Sequence, residues 1–257
     1  LDDPALTQFL TENAFAFMMV LCRAGAAITL LPGLGEEVFP ASVRVGVAVT
    51  LALVLTPLVQ PELPAMPKDF AHLAVLIAGE LAAGAFLGWL ARLTYLALPA
   101  AAQIISLTTG LTSLLTADQN FGAQTSILGR IFGVAAPVLV LSTGLYALPL
   151  RAVLGSYAAL PPGALPPIGD FTHEAVHAVV AHFGLAVQLA APFLLVSTIW
   201  HAGLGLVARF VPHLQVHFAA LPGQVLGGLL LLSLLGTVLF QTWLAALAHR
   251  FASLPGG

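Results

Sequence analysis

Long apolar runs follow one another from Asn13 to Ala248, and they constrain this chain more than any motif in it. Asn13–Leu31 is the first, open to capping by Thr11 or Asn13 and stopped by Pro32-Gly33. At 1.5 Å per residue it reaches about 28 Å, roughly the thickness of a hydrocarbon core. Arg44 starts a second run that ends near Leu58, after Thr56-Pro57. Ala71–Leu98 is the third, and Ile131–Leu150 the fourth, with kinks expected at Pro137 and Pro149. Phe171–Arg209 follows, with a break expected at Pro192. As a straight helix it would be about 55 Å long, so it must bend, tilt or project from a bilayer. Val225–Ala248 is the last run, closed by His249-Arg250.

The residues between the runs read as turns. Leu34–Ser42 is short, Pro61–Asp69 holds three prolines that forbid a helix, and Pro161–Gly163 with Pro166–Asp170 forms another loop. Val211–Ala220 reads as a mixed turn. No linker divides residues 1–257 into separate domains. The chain is 59% hydrophobic and 7% charged, with a mean hydropathy of +1.00, against about 25% charged residues in a soluble domain. The fold class expected is all-α, with bent and interrupted membrane-type hairpins. Eight Lys and Arg residues cannot build a phosphate-binding face, which excludes nucleic acid as a partner. The single cysteine, Cys22, excludes an internal disulfide and reads as a core thiol. The acidic N-terminus, with Arg23 inside the first apolar run, does not read as a signal peptide. Together with Arg250 it favours N-outside, C-inside, although the basic residues are sparse and evenly spread.

One stretch departs from this pattern. Gln103–Arg130 carries Thr108, Thr109, Thr112, Ser113, Thr116, Asp118, Gln119, Asn120, Gln124, Thr125 and Ser126, with Gly110 and Gly122 as breakers and Pro99 at its approach. Irregular backbone at membrane depth is tolerated only inside protein or beside a watery cavity. The stretch is therefore either a constriction folded into a protein interior or an ordinary solvent loop.

Three charges interrupt the apolar runs: Arg23, Glu80 and Arg92. An ionisable group inside a membrane segment faces protein, water or an opposite charge. Glu80 and Arg92 stand about 120° apart around one helix, so each needs a partner elsewhere. They mark an ion path in a transporter, or contacts with neighbouring chains in an assembly subunit. Gly84 and Gly88 form a GxxxG beside them, a spacing that lets helices approach closely.

His173-Glu174-Ala175-Val176-His177 is an HExxH placed at a helix start, the pattern of a zinc protease. A catalytic zinc needs a third protein ligand. Val180 and Phe183 stand where an extended motif needs Gly and His, and no carboxylate follows Glu174. The motif reads as coincidental, with no catalytic residue and no metal or other cofactor assigned. His182, His201, His213 and His217 form no ligand set.

Several stretches, in order, are similar to one family. Gly203-Leu-Gly-Leu-Val-Ala-Arg209-Phe-Val-Pro212-His-Leu-Gln215 through Pro222 resembles a Gly-rich helix leading into Arg-x-x-Pro-Gln-Leu and Gly-Phe-Pro. Pro40-Ala-Ser-Val-Arg44-Val-Gly resembles Pro-x-x-x-Arg-x-Gly. Gly79-Glu80 with Gly84 and Gly88 resembles a Gly-Glu-rich helix. Gly110-Leu111-Thr112 with Asp118 resembles a Gly-Leu-Ser segment ending in Asp-Pro, and Ser156-Tyr157 through Gly163 resembles a Leu-Pro-x-Gly loop. The family is FliR, the export-gate subunit of flagella and type III secretion systems. The chain departs from its pattern at Gln119 and His213, which replace Pro and Gln, and at Leu145 after Gly144. Ser113 and Thr116 stand where aromatics are expected.

The resemblance implies a non-enzymatic subunit of a bacterial inner-membrane export apparatus, part of it on the periplasmic side. It would complete a helical ring with FliP-like and FliQ-like proteins, next to a FlhB-like protein. The ring would pass unfolded export substrates. It implies that Gly110, Leu111, Thr112, Ser113, Leu114, Leu115, Thr116, Asp118 and Gly122 belong to a plug, with Gly110 and Gly122 as hinges. Arg23, Glu80 and Arg92 would pair with neighbouring subunits. Arg209, Pro212 and Gln215 would shape the break before the last hairpin. The competing reading is a secondary transporter or channel, marked by pairing of intramembrane charges within one chain. An intramembrane zinc protease comes third.

Overall fold

The computed structural model describes residues 4–36, 39–111, 126–163, 168–210 and 216–255. Its secondary structure is helical: α1 Pro4–Leu30, α2 Ala41–Val59, a 3₁₀ turn at Gln60–Glu62, α3 Phe70–Thr108, α4 Ile127–Ser142, α5 Ala147–Ala159, α6 Ile168–Phe210 and α7 Val216–Ala252. Among the described residues, 5 helices are long and apolar enough to cross a membrane, or up to 6 if the bent pair α4–α5 counts as one span. The chain is a multi-span, all-helical membrane protein.

The helices outrun the apolar runs that predict them. α1 begins at Pro4, so Thr11 and Asn13 lie inside it and cap nothing. Their side chains turn back instead, Thr11 Oγ1 to the Thr7 carbonyl at 2.8 Å and Asn13 Nδ2 to the Phe9 carbonyl at 2.7 Å. Pro32-Gly33 does stop α1, with Gly33 at φ +85. The prolines break less than expected. α3 passes through Pro99 to Thr108, and α6 passes through Pro192 as one helix of 43 residues. An interior proline removes one backbone hydrogen bond, but ending a helix in an apolar medium exposes several, so continuation wins. Pro149 sits in the first turn of α5, where its missing N–H costs nothing. The real break in the fourth run is at Gly144, φ +73, where α4 and α5 meet at 69°. Residues 216–220, expected in a turn, belong to α7.

The chain forms two compact units that interleave along the sequence. One comprises Leu1–Tyr95, Pro137–Val179 and Leu247–Gly257; the other comprises Leu96–Ala136 and Val180–Ala246. In the first unit, Val20, Ala24 and Ala27 make a stripe on α1 at helical spacing. It packs against Ala52, Leu55 and Val59 of α2 and Val153 and Tyr157 of α5. α3 crosses the same helix with Gly84 and Gly88 inward. A Cβ on Gly84 would collide with the Arg23 carbonyl oxygen, and one on Gly88 would lie 2.7 Å from the Ala27 carbonyl oxygen. The GxxxG therefore brings two backbones together, as its spacing predicts.

In the second unit, the Phe132 and Phe240 rings meet at a tilt, 5.1 Å apart and 53° between planes, and Phe193 and Trp243 are buried. Much of α6 and α7 is nonetheless apolar and uncovered. Only 11% of the apolar window of α7 is buried within the chain, and Leu226, Leu230, Leu234 and Val238 stand exposed along it. A helix apolar on every side needs lipid or other protein around it.

Gly84→Leu should destabilise the protein by at least about 1–3 kcal/mol, because neither backbone can yield. Gly79→Ala, with nothing within 4 Å of the added Cβ, should be neutral. Thermal unfolding of the two variants in detergent checks the contrast.

Candidate functional site

The described part of the central polar stretch is a root formed by residues 103–111 and 126–130. α3 ends at Thr108, and the last carbonyls of a helix lack intrahelical partners. The Thr108 carbonyl receives two side chains: Ser197 Oγ of α6 at 3.0 Å and Gln224 Nε2 of α7 at 2.9 Å. Thr109 Oγ1 donates to the Ile105 carbonyl at 2.7 Å, and the side chain packs tightly onto α7. A Cβ on Gly228 would come within 2.5 Å of Thr109 Cβ. Gly110 then turns the chain out at φ +76, the left-handed conformation that ends many helices. A pocket of ≈ 60 Å³ lies at this corner, lined by Thr108, Ser197, Trp200, Gln224 and Gly228 among others.

The return is tied to the same helix. Ser126 is buried and its Oγ accepts from Gly129 N at 3.0 Å, the N-cap of α4. Its own N–H donates to Gln103 Oε1 at 3.4 Å, and Gln103 belongs to α3. Gly129 leaves room for that amide, since a Cβ there would sit 2.8 Å from Gln103 Nε2. The root is built from hydroxyls, amides and glycines, and Ser197 Oγ, which donates to the Thr108 carbonyl, also lies 3.2 Å from His201 Nδ1 one turn along α6.

Of the expected plug residues, Gly110 and Leu111 are placed, and Leu111 is buried. Thr112, Ser113, Leu114, Leu115, Thr116, Asp118 and Gly122 lie outside the described residues. So do Pro212 and Gln215; Arg209 is exposed in the last turn of α6. Ser197, Gln224, Gln103 and Gly228 were not singled out from the sequence. Their signal was there: a lone Ser or Gln inside an apolar run is a hydrogen-bonding group with a required partner.

The intramembrane charges correct an expectation. Arg23 and Glu80, expected to reach neighbouring subunits, meet inside the chain. Nε and Nη2 of Arg23 donate to the two carboxylate oxygens of Glu80 at 2.8 and 2.9 Å, and both side chains are 2% exposed. Nη1 reaches Ser156 Oγ at 3.3 Å, and the guanidinium lies 4.0 Å above the Tyr157 ring. A forked donor on a forked acceptor is the geometry that makes a buried pair tolerable. Arg92 also finds an internal acid, but loosely: Glu36 is 3.8 Å away and the Arg92 side chain is 28% exposed. Cys22, expected in the core, is half-buried.

In the HExxH, Glu174 Oε1 accepts from Arg250 Nη2 of α7 at 2.5 Å, an ion pair that ties the start of α6 to the end of α7. The His173 and His177 rings face each other, and among the described residues no third His, Cys, Asp or Glu joins them.

Glu80→Leu should cost about 3–5 kcal/mol, because it strands a buried guanidinium, whereas Arg23→Met with Glu80→Leu should cost far less. Denaturation of the single and double variants reads the difference. Additive losses would mean that the pair is not coupled.

The matches with known proteins run nearly the full length of the chain. The profile of the bacterial export proteins, family 1, matches residues 14–249. The flagellar biosynthetic protein FliR of Caulobacter vibrioides is 32% identical over 231 residues, covering 90% of this chain and 92% of that one. FliR of Bacillus subtilis is 28% identical over 228 residues, 88% and 87% of the two chains. The Yop proteins translocation protein T of Yersinia pestis is 27% identical over 223 residues, 84% of each. With the profile spanning every helix from α1 to α7, the chain belongs to the bacterial export proteins of family 1, the FliR family of type III export apparatus proteins.

Proposed function

We propose that the chain is a non-enzymatic subunit of the type III export gate and forms part of the entry pore for unfolded substrates. The observation that carries this is the family match over residues 14–249. Flagellar and secretion-system proteins stand together among the relatives, so the step they share, protein export, is the one proposed. The uncovered apolar faces of α6 and α7 support a place among other membrane subunits, FliP-like and FliQ-like, with a FlhB-like neighbour. Arg209, exposed in the last turn of α6, remains available for such contacts. The apparatus is assigned to the inner membrane, with part of the assembly on the periplasmic side.

The plug is proposed for residues 110–122. Its support is the root: side chains from α6 and α7 hold the Thr108 carbonyl, and Gln103 holds the return. The transporter reading has one observation in its favour, the pairing of Arg23 with Glu80 inside the chain. That pair is enclosed by Ser156 and Tyr157 and 2% exposed, so no ion can travel along it; it acts as a tie between helices.

Native mass spectrometry of the tagged protein, purified from cells expressing its whole operon, tests the assembly. One copy of this chain with several copies of two small membrane proteins is expected. A stable monomer or homo-oligomer alone would overturn the proposal. In the assembled complex, deleting residues 110–122 should raise ion conductance across the membrane, and normal assembly with unchanged conductance would remove the plug.

A further inference from the structure

The HExxH is the sequence motif that neither the fold nor the export reading uses. Asp170, His173, Glu174 and His177 fall within an arc of about 100° on α6. Glu174 is paired with Arg250 and no third ligand joins the histidines among the described residues, so the two histidines lack the ligand set of a hydrolytic zinc. Both are exposed, with ring centroids 4.4 Å apart and Nε2 atoms 3.2 Å apart. Two imidazole nitrogens bound to one zinc ion at about 2.0–2.1 Å, with an angle of about 90–110°, lie about 2.8–3.4 Å apart. The observed spacing already matches that bite. It also suits a single N–H···N bond, whose proton a metal ion would displace.

The surroundings leave room for more ligands. A cleft of ≈ 470 Å³ opens beside the pair, lined by Asp170, His173, Glu174, Arg250 and Ser253 among others. Its acids are Asp170 and Glu174 and its base is Arg250, so the fixed charge is negative by one, against the opposing dipole at the start of α6. The 43 residues of α6 extend about 65 Å, twice a hydrocarbon core, so its first turns can stand in water while the rest spans.

We propose that His173 and His177 form a two-histidine chelate for a transition-metal dication, Zn²⁺, Ni²⁺ or Cu²⁺, with water completing the coordination. Imidazole favours these ions over Mg²⁺ and Ca²⁺. The site binds without catalysing, and it clamps two consecutive turns of α6. It holds or fails independently of the export role.

The test uses the full chain in detergent, purified on a tag without histidine. Calorimetric titration with Zn²⁺ and Ni²⁺ should give one ion per chain. His173→Ala and His177→Ala should each weaken binding roughly tenfold or more, and His249→Ala should not. The wild type with Cu²⁺ should show two-nitrogen hyperfine structure by electron paramagnetic resonance, which needs no variant to fold. Absence of binding at millimolar Zn²⁺, unchanged affinity in His177→Ala, or a copper spectrum without nitrogen coupling would overturn the proposal.

Discussion

The Arg23–Glu80 ion pair sets the arrangement of the first unit. A guanidinium in the middle of an apolar helix is costly anywhere but against a carboxylate, and the chain supplies one on α3. The pair is reachable because Gly84, one turn further along α3, lets the α3 backbone touch α1 at Arg23 itself. Ser156 and Tyr157 of α5 then close the remaining face. Three helices far apart in sequence are thereby fixed in one register. Hydrophobic packing alone would specify that register poorly, since Ala, Val and Leu stripes slide against one another at little cost.

The second unit solves a different problem with neutral groups. α3 must end, and its terminal carbonyls must be satisfied where little water competes. Ser197 and Gln224 do this from the flanking helices. Gln103, also on α3, accepts from the Ser126 N–H at the start of α4. Gly110, in the left-handed conformation, and Gly228, against Thr109, make this corner possible at two different levels: one for the direction of the chain, the other for the approach of α7.

Both devices fit a subunit built for company. The internal charges are consumed internally, whereas the apolar faces of α6 and α7 are left open. Open apolar faces are consistent with membership in a membrane export apparatus.

Much of this was legible from the residues. Apolar length and scarcity of charge determined a multi-span helical protein, because lipid permits little else. Pro32-Gly33 marked the end of α1, GxxxG marked a close helix crossing, and the succession of short motifs pointed to the family. Proline misled at Pro192, where the rule for water-exposed helices did not transfer to an apolar setting. The sequence could state that Arg23, Glu80 and Arg92 each needed a partner, but not which one. Periodicity fixes the face of a residue on its own helix, and says nothing of the helix that will lie against it. Only the tertiary structure brought Glu80 to Arg23 across 57 residues and Gln224 to Thr108 across 116. Those contacts depend on the rotation and sliding of whole helices, which close backbone approach at particular glycines decides.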